Sequence, residues 1–425
     1  MPAYPIQVPE NSPFPIQNIP FGIFSDEANR APRAATVIGN WVLDLALLEY
    51  EGLFDTVLSL SANSFSQPTL NTFAALGKDV RRKVREAIIQ ILQDPESKLF
   101  GSENLNSRAF HRLEDVNMHL PMHIPAFTDF SCFEEHVGNC FALSNISFGP
   151  ESNFYKSPMA YNGRASSILP SGTSFPRPRG VFKTPETGIV EYQAVRKLDY
   201  EMELGILLST SLPFGQLLDP DTAEDYIFGY VLLNDWSARD IQMYESMPAG
   251  PFNCKAFASH ISPWVVVPEA LEASRVSPFH QRREDPPVHV RHTSLKDKSY
   301  DIAFDVSITR TGQQPAHVST SNYKHSYFTP AQCIAHRASS GCGLLTGELL
   351  GGGTVSSPES DWPDRSVARN GCLFEITWDG TREVPQTGGM YLNDFDSVIM
   401  EAWATGIENA RIGFGQLVGT VAPAI

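Results

Sequence analysis

The chain has no apolar run long enough to cross a membrane, and its acidic residues outnumber its basic ones. Of its 425 residues, 48 are Asp or Glu and 32 are Lys or Arg, giving a formal net charge of −16. Nucleic acids and anionic membranes select for basic patches, so this balance argues against both as partners. The first residues carry neither a basic nor an apolar targeting segment. We therefore expect a cytoplasmic protein.

Cysteine is also scarce, with six residues and no Cys-x-x-Cys pair. A chain of this length can bury a core without disulfides, so we expect free thiols in a reducing compartment. The Gly-x-Ser-x-Gly elbow and the His-Glu-x-x-His helix are absent, which removes the commonest serine hydrolase and zinc protease signatures. The segment Gly341–Gly347 lacks the sixth-position Gly or Ala of a dinucleotide-binding loop.

One apolar run ends abruptly in polar residues. Phe228–Leu233 is continuously apolar and is followed by Asn-Asp235-Trp-Ser-Ala-Arg239-Asp-Ile-Gln242. A continuous run predicts a strand covered on both faces. A compact domain buries charge only against a partner, so this strand end delivers polar groups to one place. The simplest alternative is an ion pair between Asp235 and Arg239.

A second segment, Leu198–Ile206, alternates apolar residues with Asp199, Glu201 and Glu203. Period two predicts a strand with one acidic face, on which residues i and i+2 lie about 6.5–7 Å apart. Glu201 and Glu203 would repel one another on a dry face unless a cation lay between them. Oxygen ligands favour Mg²⁺ or Ca²⁺ over zinc. The alternative is a solvated polar strand face.

Several separated motifs resemble the fumarylacetoacetase family, whose members hydrolyse a carbon–carbon bond in fumarylacetoacetate at the end of tyrosine and phenylalanine catabolism. They are Thr128–Phe130, Tyr161-Asn-Gly-Arg-Ala-Ser-Ser167, the Glu201-x-Glu203 strand, Asn234–Gln242, Gly250–Phe252 with Lys255, Ile261–Trp264 and Gly353-Thr354. The resemblance extends from Phe21–Ser25 to Gly413–Gln416.

The resemblance implies a mainly β (α+β) protein with a small N-terminal SH3-like barrel domain, residues 1–118, and a larger mixed β-barrel catalytic domain, residues 119–425. It also implies a homodimer acting on a small diketo substrate. The residues add that Gly39-Asn40 predicts a hairpin turn. Val80, Val84, Ile88 and Leu92 recur at the spacing of one helix face.

The resemblance also implies roles for the site residues. Asp129, Glu201, Glu203 and Asp235 match the metal ligands, with Mg²⁺ or Ca²⁺ as the cofactor. His136 matches the general base, and Glu375, which we predict on a strand, matches the carboxylate that orients it. The residues that match the groups stabilising negative charge are Arg239, Gln242 and Lys255. Tyr161 and Thr354 match substrate-binding positions.

Three substrate-pocket positions depart from the family pattern. Ser131 and Ser246 stand where a tyrosine is usual, and Asn145 stands where an arginine pairs with the substrate carboxylate. The usual Gly-Thr pair has become Ala258-Ser259. We therefore expect a larger and less cationic pocket, weak turnover of fumarylacetoacetate, and preference for a bulkier diketo substrate without a remote carboxylate.

Three functions remain open at this level. The first is a metal-dependent hydrolase of fumarylacetoacetate, or of a related 1,3-diketone. The second is a relative in specialised metabolism that uses the same metal and enolate site for decarboxylation, isomerisation or carbon–carbon bond formation on a less charged substrate. The third is a non-catalytic binding protein.

Overall fold

The protein is described by a computed structural model, which covers residues 2, 4–57, 63–278, 286–361 and 366–425. The strands of its first part, in chain order, are β1 Phe21–Ser25, β2 Arg33–Ile38, β3 Trp41–Asp44, β4 Phe110–Arg112, β5 Asn117–Met118, β6 Phe127–Ser131, β7 Met159–Gly163, β8 Ile168–Pro170, β9 Thr173–Pro176, β10 Arg179–Lys183, β11 Val190–Ala194 and β12 Leu198–Asp199. Those that follow are β13 Met202–Leu208, β14 Ile227–Asp235, β15 Ser237–Ala238, β16 Ser259–Ile261, β17 Arg275–Val276, β18 Ser299–Tyr300, β19 Ile302–Thr309, β20 Ala316–Asn322, β21 Leu349–Gly351, β22 Ser397–Thr405, β23 Arg411–Gly413 and β24 Leu417–Ala422.

The helices are short, apart from the third. They are α1 Leu45–Tyr50, α2 Asn71–Ala74, α3 Lys78–Gln93, α4 Lys98–Gly101, α5 Glu103–Ala109, α6 Glu134–Leu143, α7 Pro220–Ala223, α8 Arg239–Glu245, α9 Asn253–Ala256, α10 Pro330–Ala338 and α11 Leu373–Ile376. Within the described part of the chain, none of them has both the length and the apolar character that a bilayer span requires.

Residues near the N-terminus form an antiparallel sheet in the order β4-β3-β2-β1-β5. The predicted hairpin is confirmed, because Ile38 pairs with Trp41 around Gly39, whose φ of +57° suits glycine. The predicted helix face is confirmed as well: Val80, Val84, Ile88 and Leu92 are the buried apolar positions of α3.

The rest of the chain is mainly β and is built on two curled sheets. One has the order β7-β6-β21-β13-β14-β16-β8, and the other runs β20-β19-β22-β24-β9 with β23 beside β22. At the centre of the first sheet, β13 and β14 are antiparallel and every one of their residues is buried. The prediction of a strand covered on both faces at Phe228–Leu233 is confirmed.

The N-terminal sheet packs directly on the larger one and shares its apolar core. Phe21 and Val265 exchange backbone hydrogen bonds of 3.0 and 2.7 Å. From α3, the buried Arg81 donates through Nη1 to the carbonyl oxygens of Ile227 and Phe228, at 2.5 and 3.0 Å, and forms an ion pair with Glu269. The start of β14 is therefore fixed by a side chain from the N-terminal part.

Candidate active site

Three strands of the first sheet bring four carboxylates together. Asp129 lies on β6, Glu201 directly precedes β13, Glu203 lies on β13, and Asp235 ends β14; all four are buried. One oxygen from each of Asp129, Glu201 and Asp235 lies within 4.8 Å of the other two. The alternative of a solvated polar strand face is wrong, because β13 is packed on both sides.

The donor set of this cluster suits a hard divalent cation. Asp129 Oδ1 and Glu203 Oε1 are buried and have no hydrogen-bond partner among the described residues. Burial, reinforced by the charge of Asp235, raises the pKa of Asp129 to about 8, and burial beside Asp129 raises the pKa of Glu203 well above its usual range. The two side chains therefore retain a proton unless a cation replaces it.

Room for the cluster depends on Gly351 of β21. A Cβ at this position would collide with Asp129 Oδ1 and would lie 2.7 Å from Glu203 Oε2. The backbone just after β21 also contributes a donor, because the Gly353 N–H donates a hydrogen bond to Glu203 Oε2 at 3.0 Å. Small residues here let the backbone approach the carboxylates closely.

Two cations border the cluster, and both are already paired. Lys255 Nζ donates to Glu201 Oε2 and, at 2.8 Å, to Asp235 Oδ2. Arg239 Nη2 contacts Asp199 Oδ2 at 2.7 Å and Glu201 Oε1 at 2.8 Å. Burial raises the pKa of Glu201, but attraction to Lys255 and Arg239 outweighs it and holds that pKa well below its ordinary value. The predicted alternative of an Asp235–Arg239 pair is wrong, since each has another partner.

A histidine and a glutamate form a second buried group. His136 of α6 places Nδ1 2.7 Å from Glu375 Oε2. The prediction that Glu375 lies on a strand is wrong, because Leu373–Ile376 is helix α11. The cause is distant in sequence: the carboxylate of Asp199 accepts hydrogen bonds from the N–H groups of Leu373 and Phe374, at 2.7 and 2.9 Å, and so fixes the first turn.

The Glu375 carboxylate is surrounded by donors. Besides the imidazole, Oε2 accepts from Ser356 Oγ at 2.9 Å, and Oε1 accepts from Asn139 Nδ2 at 2.9 Å and from Asn370 Nδ2 at 3.2 Å. Burial raises the pKa of Glu375, but the charge and hydrogen bond of His136 outweigh it and lower the value to about 2. An ionised Glu375 fixes the proton of the neutral imidazole on Nδ1 and leaves Nε2 as the basic nitrogen.

The pKa of His136 reflects opposing effects. Burial lowers it, while the charges of Cys140 and Glu375 raise it well above its ordinary value. Cys140 Sγ lies 3.6 Å from Nε2 and 3.9 Å from Nδ1, so it is nearly equidistant from both nitrogens and does not lie along a lone pair. The thiol therefore does not block the side of the ring from which a water molecule would approach Nε2.

A cavity of about 270 Å³ joins the two groups. Of the sequence-predicted residues, its lining includes Asp129, Ser131, His136, Tyr161, Glu201, Glu203, Arg239, Gln242, Lys255 and Thr354. Asp235 and Glu375 are buried behind this surface. Asn145 and Ser246 are not part of the lining: Asn145 is exposed after α6 with φ +54°, and Ser246 follows α8.

Four further residues belong to the site and were missed. The sequence pattern could have identified Asp199, because it lies on the acidic face of its segment, two positions before Glu201. Ser259 was noted only as a departure, yet its Oγ donates to Asp235 Oδ1 at 2.9 Å. Asn139 and Ser356 gave no signal in the sequence, because neither forms a motif with its neighbours.

A buried carboxylate cluster and a His–Glu pair that open on one cavity form the arrangement of an enzyme active site. Two sequence models match it: Fumarylacetoacetase N-terminal over residues 17–121, and Fumarylacetoacetate (FAA) hydrolase C-terminal over residues 126–422. The fumarylacetoacetase of Arabidopsis thaliana is 38% identical and covers 98% of both chains. That of Mus musculus is 37% identical and covers 99% of both.

A solved structure agrees at the level of the fold. The fumarylacetoacetate hydrolase from Exiguobacterium antarcticum superposes with a TM-score of 0.52 at 16% identity, covering 95% of this chain and 99% of that one. The chain belongs to the fumarylacetoacetate hydrolase family.

Proposed function

We propose that this enzyme hydrolyses a carbon–carbon bond in fumarylacetoacetate, giving fumarate and acetoacetate. The observation that carries the proposal is the placement of His136, paired with Glu375, on the same cavity as the carboxylate cluster. The full-length similarity to fumarylacetoacetases of plants and animals supports it. Of the three positions that made the sequence favour another substrate, only Ser131 lines the cavity.

We propose Mg²⁺ or Ca²⁺ as the cofactor, held by Asp129, Glu201, Glu203 and Asp235. The two unpartnered oxygens of the cluster and its all-oxygen donor set support this choice. When bound, such an ion supplies a Lewis acid that polarises the diketone oxygens.

The protein's own groups supply the remaining chemistry. His136 Nε2 takes a proton from the attacking water, and Glu375 stabilises the imidazolium that forms. Lys255 has three N–H groups, of which two donate to Glu201 and Asp235, so one remains to donate to a substrate oxygen. Gln242 accepts from Arg239 Nη1 at 2.9 Å through Oε1, which leaves its amide N–H groups to donate into the cavity. Both donors can stabilise charge that develops on substrate oxygen or on the departing carbon.

We also propose finer features that the family similarity supports. These are substrate contacts from Ser131, Tyr161 and Thr354, a domain boundary between residues 118 and 119, and an SH3-like character for the N-terminal sheet. A cytoplasmic homodimer completes the proposal.

The test follows loss of fumarylacetoacetate absorbance with purified enzyme and either metal. We expect a kcat/KM of about 10⁴–10⁸ M⁻¹s⁻¹, the ordinary range for enzymes. His136→Ala should lower kcat by about 10²–10⁴ with metal content unchanged. His336→Ala is the matched control, because His336 is half-buried outside the cavity and hydrogen-bonds His289 at 3.0 Å. A wild-type enzyme without turnover, or a fully active His136→Ala, contradicts the proposal.

A further inference from the structure

We propose that Arg164 binds the carboxylate at the end of the substrate remote from the scissile diketone. This inference rests on the proposed function and adds to it the residue that recognises the acid. Arg164 follows β7 and lines a second cavity, of about 210 Å³, beside the catalytic one. Tyr161, Pro251 and Lys255 line both cavities, so the two cavities adjoin at these residues.

The charges around the two cavities single out this arginine. Lys255 and Arg239, the other cations in the linings, are each held by two carboxylates. The Arg164 guanidinium has no ion pair and no hydrogen bond to any residue in the part of the chain that the structure describes, and the side chain is exposed. It is therefore the cation whose charge remains for an anionic ligand.

Strand pairing fixes where Arg164 stands. Tyr161 of β7 lies opposite Asp129 of β6, at the carboxylate cluster. Arg164 comes three residues later, about 10 Å along an extended chain. Its carbonyl accepts from the backbone N–H and the Oγ of Ser167, at 3.3 and 3.1 Å, which holds the backbone as the strand ends. A diketo acid extending from the cluster past Tyr161 would reach the second cavity with its far end.

The ligand chemistry follows from the side chain. A guanidinium presents parallel N–H groups that match the two oxygens of a carboxylate. Arg164 thus offers the cation that Asn145 does not provide, and the pocket is more cationic than the sequence alone suggested. A substrate with a free remote carboxylate should be preferred over one without it.

The experiment compares two substrates, a fumarylacetoacetate-type diketo acid and its analogue esterified at the remote carboxylate. For Arg164→Gln we expect KM for the acid to rise by about tenfold or more with kcat within about twofold. KM for the ester should change by less than about twofold. Arg164→Lys should recover part of the loss, since it keeps the charge without the planar fork. Arg82→Gln, an exposed arginine on α3, is the matched control and should change neither KM.

The outcomes separate this inference from the function. Equal KM effects of Arg164→Gln on acid and ester, or a wild-type enzyme that prefers the ester, overturn the role of Arg164 and leave hydrolysis standing. Failure of the wild-type enzyme to cleave either compound overturns the proposed function, and the inference falls with it. Thermal unfolding of each variant shows that the exposed substitution leaves the fold intact.

Discussion

At the scale of single residues, Glu375 shows how a carboxylate can be held in one orientation. It accepts hydrogen bonds from His136, Asn139, Ser356 and Asn370. In Glu375→Gln, an amide N–H₂ would replace one of the two carboxylate oxygens, so it would face groups that donate hydrogen bonds and could not accept from them. The substitution would also remove the charge that stabilises the imidazolium. We expect kcat to fall by about 10³–10⁴ while metal content stays unchanged. The measurement is steady-state kinetics with elemental analysis. Glu348→Gln, a buried carboxylate outside the cavity, should keep its activity.

His260 is a buried residue whose protonation should limit stability in acid. Its Nδ1 accepts from Trp236 Nε1 at 2.8 Å, so the ring proton is on Nε2, which contacts Thr173 Oγ1 at 3.0 Å. Burial lowers the pKa of His260 from 6.5 to about 4. The folded state thus disfavours the charged form of His260. The contribution of the neutral ring to the free energy of unfolding is complete above pH 6.5 and is lost as the pH falls towards 4. The loss amounts to about 3 kcal/mol of unfolding free energy.

Urea titrations at pH 7.5 and pH 4.5 test this expectation. Other groups also titrate in this range, so the useful quantity is the difference between wild type and His260→Gln, which cannot take up the proton. The variant should start less stable and lose less on acidification. Equal losses in both proteins would assign the acid sensitivity to other groups.

At the scale of elements, strand β21 can pass the carboxylate cluster only because its residue nearest the cluster, Gly351, has no side chain. Gly351→Ala would drive a methyl group into Asp129 Oδ1. We expect at least about a tenfold loss of Mg²⁺ or Ca²⁺ affinity, because ligand geometry must be held closely. Isothermal titration with the metal measures it. Gly101→Ala is the control, since no heavy atom lies within 4 Å of its added Cβ, and unchanged affinity in Gly351→Ala would refute the packing argument.

The elements also show how far sequence reasoning reaches. Strand β14 and helix α3 were predictable because their burial follows from local pattern alone. The single strand predicted over Leu198–Ile206 is instead divided between β12, which pairs with β15, and β13, which pairs with β14 and β21. Helix α11 was not predictable, since Leu-Phe-Glu-Ile fits a strand equally well and the deciding hydrogen bond comes from Asp199, 174 residues away. The same limit applies within the site. The four carboxylates of the cluster stand in motifs and His136 was matched by its position, whereas Asn139 and Ser356 are identified only by what they touch.

At the scale of the whole molecule, the N-terminal part stabilises the strand that carries Asp235. Arg81 donates from α3 to two carbonyls of β14 and pairs with Glu269. Arg81→Met should lower the free energy of unfolding by about 2–3 kcal/mol, because buried carbonyls lose a charged donor. Arg82→Met, on the exposed face of the same helix, should change it by less than about 0.5 kcal/mol. Urea unfolding measures both, and equal effects would show that Arg81 does not join the two parts.

The two ends of the described chain meet in one hydrogen-bonded seam. Asn18 Nδ2 donates to the carbonyl oxygen of Gly413 at 2.8 Å, across 395 residues, and the Gly413 N–H returns to Pro13 at 2.9 Å. During synthesis at about 5–20 residues per second, the N-terminal segment must therefore wait about 20–80 s for its partner. Phe21 waits for a shorter time, about 12–49 s, because its backbone partner Val265 follows it by 244 residues. The apolar face around Phe21 therefore stays uncovered until Val265 has been made, and the seam between Asn18 and Gly413 closes only after every residue of the active site has been made.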